Sequence, residues 1–186
     1  VLFRSALEAL LVRESAHHEL LALYREAADR ASELDARKGF LFKIAAIDES
    51  ALNDATRAIV DYREILEVDP ADARAVSALD ALLARTEQWA DLAALLERRI
   101  ADAVSSDERS NLRYRLGRLR VERLQDAQGG VEAFREILEE RRDRRDAVSA
   151  LEQIADYKPE LRLQVVEILE PLYRETDDWQ IGRAHV

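Results

Sequence analysis

Three groups of residues in this 186-residue chain have types and spacings that could carry chemistry. His17-His18-Glu19 begins like the zinc motif H-E-x-x-H, in which two histidines four apart share one helical face around a metal. The place of the second histidine holds Ala22, and adjacent helical residues point about 100° apart, so these histidines read as helix surface and no metal site is expected. Gly129-Gly130 lacks the preceding strand and wider glycine pattern of a phosphate loop, and reads as a hairpin turn. The third group lies between Arg109 and Arg123: six arginines (109, 113, 115, 118, 120 and 123) against the single acid Glu122, a local charge of +5. Guanidinium groups bind carboxylates through paired, charge-assisted hydrogen bonds, so this segment is suited to an acidic or C-terminal peptide. The competing reading pairs the same arginines with Glu132, Glu136, Glu139 and Glu140 as a solvated salt-bridge lattice.

Nothing in the chain points to catalysis. With 38 Asp plus Glu, no carboxylate pair stands out as a general acid and base, and with no Cys there is no thiol nucleophile, thiolate metal site or disulfide. No catalytic residue, no cofactor and no metal is therefore expected. Trp89 and Trp179 each follow a Thr-acid run at an expected helix start, where an aromatic ring packs between neighbouring hairpins. The acids outnumber the 28 Lys plus Arg for a formal charge of -10, which argues against nucleic acid or an anionic membrane surface as partner.

The elements that must position these residues are helical. Five Gly and three Pro cannot punctuate an all-β fold, and 48% hydrophobic with 35% charged residues is neither disordered nor, without a long apolar run, membrane-spanning. Sliding the chain by 72 residues aligns 5–82 with 77–154 without a gap at 26 identities in 78 positions, among them Tyr62-Arg63-Glu64-Ile65-Leu66-Glu67 on Phe134-Arg135-Glu136-Ile137-Leu138-Glu139. Such self-similarity means stacked units that cannot bury their apolar faces alone. The apolar spacing predicts helices over 6–14, 17–33, 36–52, 55–68, 72–85, 88–104, 107–124, 127–141, 144–156 and 160–175, two helical hairpins per period. Asp69-Pro70 is expected to place a capping carboxylate, Ser105 with Glu108 a capping box, and Pro171 to kink or shorten the last helix. Leu169 to Trp179 resembles Leu79 to Trp89 at an offset of 90, which suggests a helix inserted or lost near the C-terminus.

The termini Val1-Leu2-Phe3-Arg4-Ser5 and Ile181-Gly182-Arg183-Ala184-His185-Val186 resemble read-through of a sequencing adapter, so residues 1–5 and 181–186 are expected to be artefact. Residues 6–180 would then be a helical repeat array, a fragment of a longer protein. Arg outnumbers Lys 25 to 3, a bias of GC-rich coding DNA that suits a bacterial source.

Ile59 to Arg74 resembles the second helix and closing turn of a tetratricopeptide repeat, with Ala58, Tyr62, Ile65 and Pro70 at the family's small, aromatic, small and proline positions. Leu116-Gly117 is similar to the Leu-Gly pair of a first helix, whereas Arg113 and Arg120 fall where the family usually has large apolar residues. The resemblance implies an all-α, right-handed superhelical array of antiparallel hairpins, a tetratricopeptide-like α-solenoid. It also implies that Asn111, Tyr114, Arg115, Arg118 and Glu122 lie on the concave face, the peptide groove of this family. The family's carboxylate clamp does not carry over, since its Lys and Asn positions hold Tyr114 and Arg118, or Phe42 and Ala46 one period earlier. The expected function is a non-enzymatic scaffold binding a protein or peptide, an acidic one among the candidates, with flanking repeats of the same longer chain as further partners. The alternative is a passive spacer or assembly segment. No nucleic acid and no membrane insertion is expected, and the compartment stays open, with the cytoplasm favoured.

Overall fold

The computed structural model describes residues 2–175; the readings that involve Trp179, Gln180 and residues 181–186 lie outside them. Among the described residues all regular structure is helical: α1 Leu2–Arg13, α2 His17–Asp29, α3 Leu34–Ala46 continuing into a π turn Ile47–Ala51, α4 Ala55–Val68, α5 Ala73–Arg85, α6 Trp89–Asp102, α7 Ser106–Glu122, α8 Ala127–Glu140, α9 Arg145–Tyr157, a 3-10 turn Pro159–Leu161 and α10 Arg162–Glu175. The chain divides after Gln88 into two compact units.

Local chemistry explains the boundaries. Asp54, Asp72, Ser105 and Asp126 cap α4, α5, α7 and α8 by accepting from amides of the first turn. The cap of α5 is thus Asp72, with bonds of 3.0 and 3.1 Å from the amides of Arg74 and Ala75, and not Asp69, whose carboxylate accepts from Ala71 within the turn. Helix α2 ends four residues before the expected 33, because Glu33 is extended and restarts the chain as the N-cap of α3. Gly129 and Gly130 lie inside the first turn of α8 and not in a turn: the Gly129 amide donates to Asp126 at 2.8 Å, closing the cap.

The turns that close the hairpins α1/α2, α3/α4 and α7/α8 share one conformation. Ser15, Asn53 and Gln125 have φ of 53°, 51° and 56°, and Glu87 after α5 repeats it at 56°; among the described residues no glycine has positive φ. Ser15 with Glu87 and Asn53 with Gln125 are 72 apart, so the period seen in side chains is also written in the backbone. The aromatic pairs repeat likewise: Phe42 meets Tyr62 at 6.3 Å between ring centroids, and Tyr114 meets Phe134 at 5.6 Å.

Each unit buries a helical stripe. On α4 the buried apolar residues are Ala58, Ile59, Tyr62, Ile65 and Leu66; in the second unit Val131, Phe134 and Ile137 of α8 join Leu151 and Ile154 of α9 and Val165 and Leu169 of α10 in one core. Polar contacts between alternate helices show the stacking: Lys43 reaches Glu8, Arg85 reaches Glu49 and Gln164 reaches Glu132, each about one hairpin away in sequence. Helix α10 continues through Pro171 to Glu175. Val165 and Leu169 hold it in the core, so the proline's missing donor is lost within a helix already anchored by packing. Helices α9 and α10 pack against each other as a hairpin, with the 3-10 turn between them, and the offset of 90 extends to Trp179, outside the described residues.

Candidate functional site: the α7 face

The candidate residues all sit on α7, a helix started by the Ser105 cap and by Asp107 and Glu108 against its positive end. Its buried residues, Ser110, Leu112, Leu116, Gly117 and Leu119, form a narrow stripe, so most of the helix circumference is open to polar side chains.

The six arginines divide. Arg113 Nε stands 2.8 Å from Glu136 and its Nη1 2.6 Å from Glu140; Arg109 lies 3.6 Å from the same Glu140 and donates to the carbonyl of Ala103 at 3.0 Å. The hydrogen bond from Arg113, with the nearby charge of Arg109, holds the Glu140 carboxyl below the ordinary carboxylate range despite some desolvation. Arg120 pairs with Glu97 of α6 at 2.6 Å and donates to the carbonyl of Gly129 at 3.2 Å. Arg123 lies over the half-buried Trp89 ring, 4.9 Å from its centroid. Arg113 and Arg120, the two at normally apolar positions, thus bury their stems and carry their heads out to acids on α8 and α6. Of the lattice acids, Glu136 and Glu140 meet α7, while Glu132 and Glu139 pair with Arg135 on their own helix.

A different face remains. Asn111, Arg115, Arg118 and Glu122 are exposed at spacings of four, three and four, which places them in one line along α7. Arg118 donates from Nε to Glu122 at 2.7 Å. Tyr114, half-buried beside the line, leans its ring on Phe134. Asn111 accepts from Arg144 at 3.1 Å, and Arg141 pairs with Asp107, so two further arginines from the α8/α9 turn adjoin the N-terminal half of α7. Residue spacing alone did not reveal these two, because they meet α7 only through stacking one hairpin later.

Among the described residues there is no group of three or more His, Cys, Asp or Glu able to hold a metal, and no helix is long and apolar enough to cross a membrane. Sequence reasoning missed one cluster in the first unit: Asp48 and Asp61 are buried beside Arg25 in a cleft also lined by His18 and Arg57. Its signal was a carboxylate inside the apolar stripe of α4, at the position that holds Ala133 one period later.

No protein-family model matches the chain, and no curated protein matches it in sequence. Among solved structures it is similar to a tetratricopeptide repeat protein from Parabacteroides merdae ATCC 43184, with a TM-score of 0.50 and 16% identity over 94% of this chain and 66% of that one. It is also similar to MamA from residue 41 to its end, from Desulfovibrio magneticus RS-1, with a TM-score of 0.46 and 19% identity over 95% of this chain and 94% of that one. The likeness to the Parabacteroides protein is one of fold: the chain is an all-α, tetratricopeptide-like helical-repeat protein.

Proposed function

We propose that the chain is a non-enzymatic protein-interaction scaffold that binds an acidic peptide or helix on the face bearing Asn111, Tyr114, Arg115, Arg118 and Glu122, the concave face by its resemblance to the family. One observation carries the reading: this line of α7 stays exposed, while Arg109, Arg113 and Arg120 are consumed in ties to α6 and α8. The division separates part-buried ties from solvent-facing charge on one helix. The bond between Arg118 and Glu122 joins two side chains about half exposed, and such pairs contribute at most about 1 kcal/mol, so a partner's carboxylate can replace Glu122 at little cost. Tyr114 supplies an amphipathic ring at the edge of the strip.

The double substitution R115E/R118E tests this. Binding of a fluorescent acidic peptide should fall at least tenfold with the melting temperature little changed, and R113E should do the reverse. Loss of stability in R115E/R118E with binding intact would reject the proposal. A second reading, a spacer or assembly segment, is favoured by Leu163 and Val166, exposed on one side of α10 at 72% and 41%. In that case the acidic peptide would show no saturable binding, and association would run through α10.

A further inference from the structure

Residues one period apart match in backbone but reverse in charge at one place. The carbonyls of Asp48 and Arg120 occupy equivalent sites, accepting from the amides of Asp54 and Asp126 at 2.7 and 2.8 Å. Seventy-two residues also relate Arg25 to Glu97 and Asp61 to Ala133. In the second unit Glu97 and Arg120 form one ion pair, and the place of Asp61 is taken by the small, buried Ala133. In the first, Asp61 is 0% exposed and Asp48 1%, and the Arg25 guanidinium that pairs with Asp61 is shared with Glu64 at 3.0 Å. Oδ1 of Asp48 and Oδ2 of Asp61 are buried with no hydrogen-bond donor.

Two buried carboxylates with one shared guanidinium are short of one positive charge, and an unpaired buried carboxylate is relieved by taking up a proton. A single proton on the pair provides the missing donor and removes the excess charge. Burial, and then the hydrogen bond with Asp48, push the Asp61 carboxyl up to about 7 against the pull of Arg25. The second unit shows that closing the turn does not require this arrangement, since the equivalent amide–carbonyl bonds of the turn form there beside one carboxylate and one arginine.

We propose that Asp48 and Asp61 share a proton and make the first unit a pH-responsive element, in which the π turn and α4 are held together at acid pH and loosen as the proton is lost. The other charged and titratable groups around the pair are engaged or peripheral. From α2, Arg25 is paired and His18 lines the cleft of about 440 Å³ that leads to both carboxylates. From the π turn, Glu49 accepts from the Tyr62 hydroxyl at 3.2 Å and from Arg85 at 3.3 Å. On α4 itself, Arg57 lies 3.4 Å from Asp54, and Glu64 lies 3.6 Å from Arg37 of α3. From α5, Arg74 lies over the Phe42 ring. The sign follows from linkage: an Asp raised above its unfolded value of about 3.9 stabilises fully below that value, and the stability is lost as pH rises to the folded one.

The test uses the full chain with 13C-labelled aspartate carboxyls, and hydrogen exchange between pH 5 and 8.5 corrected for intrinsic rate, with α8 as internal reference. One Asp should titrate near neutrality. Protection of the π turn and α4 relative to α8 should fall by up to about tenfold per pH unit below pH 7 and level off above it. Asp48→Asn should flatten that slope and lower the Asp61 midpoint by at least one unit, whereas His18→Gln should leave both. Every aspartate titrating below pH 5 would overturn the proposal. So would α4 protection that tracks α8, a slope that survives Asp48→Asn, or one that disappears in His18→Gln.

Discussion

Gly117 and Gly130 show how single residues set the distance between helices. A Cβ on Gly117 would stand 2.8 Å from the Phe134 ring, and one on Gly130 would stand 2.3 Å from Val121 Cγ2. One period earlier the same places hold Ala45 and Ala58, both fully buried, so the α3/α4 pair keeps two methyl groups where α7 and α8 have none. Gly117→Ala and Gly130→Ala should each lower stability by about 1–3 kcal/mol through overpacking, although alanine is the better helix former; thermal unfolding checks this, and an unchanged or raised midpoint would disprove it. Asp72 carries a second residue-scale prediction. Burial alone would raise its carboxyl, but the Ala75 amide and the Lys38 ammonium outweigh that and hold it below the ordinary range. A depressed carboxylate stabilises above its unfolded value of about 3.9, and the stability is lost as pH falls through the folded value. Asp72→Ala should therefore cost about 1 kcal/mol as a lost cap at pH 5, with the deficit against the parent shrinking in denaturation curves as pH is lowered below 4. This sign is opposite to that of Asp61.

At the scale of elements, the turns are where local preference and tertiary structure disagree. A left-handed residue after a helix is most often Gly, because a side chain there costs roughly 1 kcal/mol, yet Ser15, Asn53, Glu87 and Gln125 all adopt it. The conformation is imposed by closing each short turn: the amide of Ala16 bonds back to Leu11 and that of Gln88 to Leu83, both at 2.9 Å. Gln125→Gly and Glu87→Gly should each raise stability by about 0.5–1 kcal/mol, since the strained side chain is removed at the cost of some unfolded-state entropy; urea denaturation reads the change, and destabilisation would show that the side chains themselves hold the turn. Helix positions and most boundaries were legible from the 3.6-residue apolar spacing, and the start of α7 from Ser105 before its first turn. The end of α2 was not, because no Gly or Pro marks residues 30–33, which leave the helix before the extended Glu33 restarts it.

For the whole molecule, apolar surface at the last described helix is a liability. Leu163 and Val166 lie on one side of α10, while its Val165 and Leu169 are buried in the core. Adjacent exposed apolar residues form an association surface, so the chain should self-associate at high concentration. L163E/V166E should shift sedimentation toward monomer with unchanged helical content; a parent chain that is already monomeric at all concentrations would contradict this. The amino-acid sequence by itself determined the helical class, the 72-residue period and the pairing of hairpins, because those depend on spacing along one chain and recur where Tyr62 and Phe134 mark the same place. It also singled out the arginines of α7, but not their division into ties and exposed strip, which depends on the acids that α6 and α8 bring within reach. Nor did it show that Asp48 and Asp61 share a buried site with Arg25. That arrangement is decided by the packing of α2 and the π turn against α4, where distance in space replaces distance in sequence as the measure of interaction.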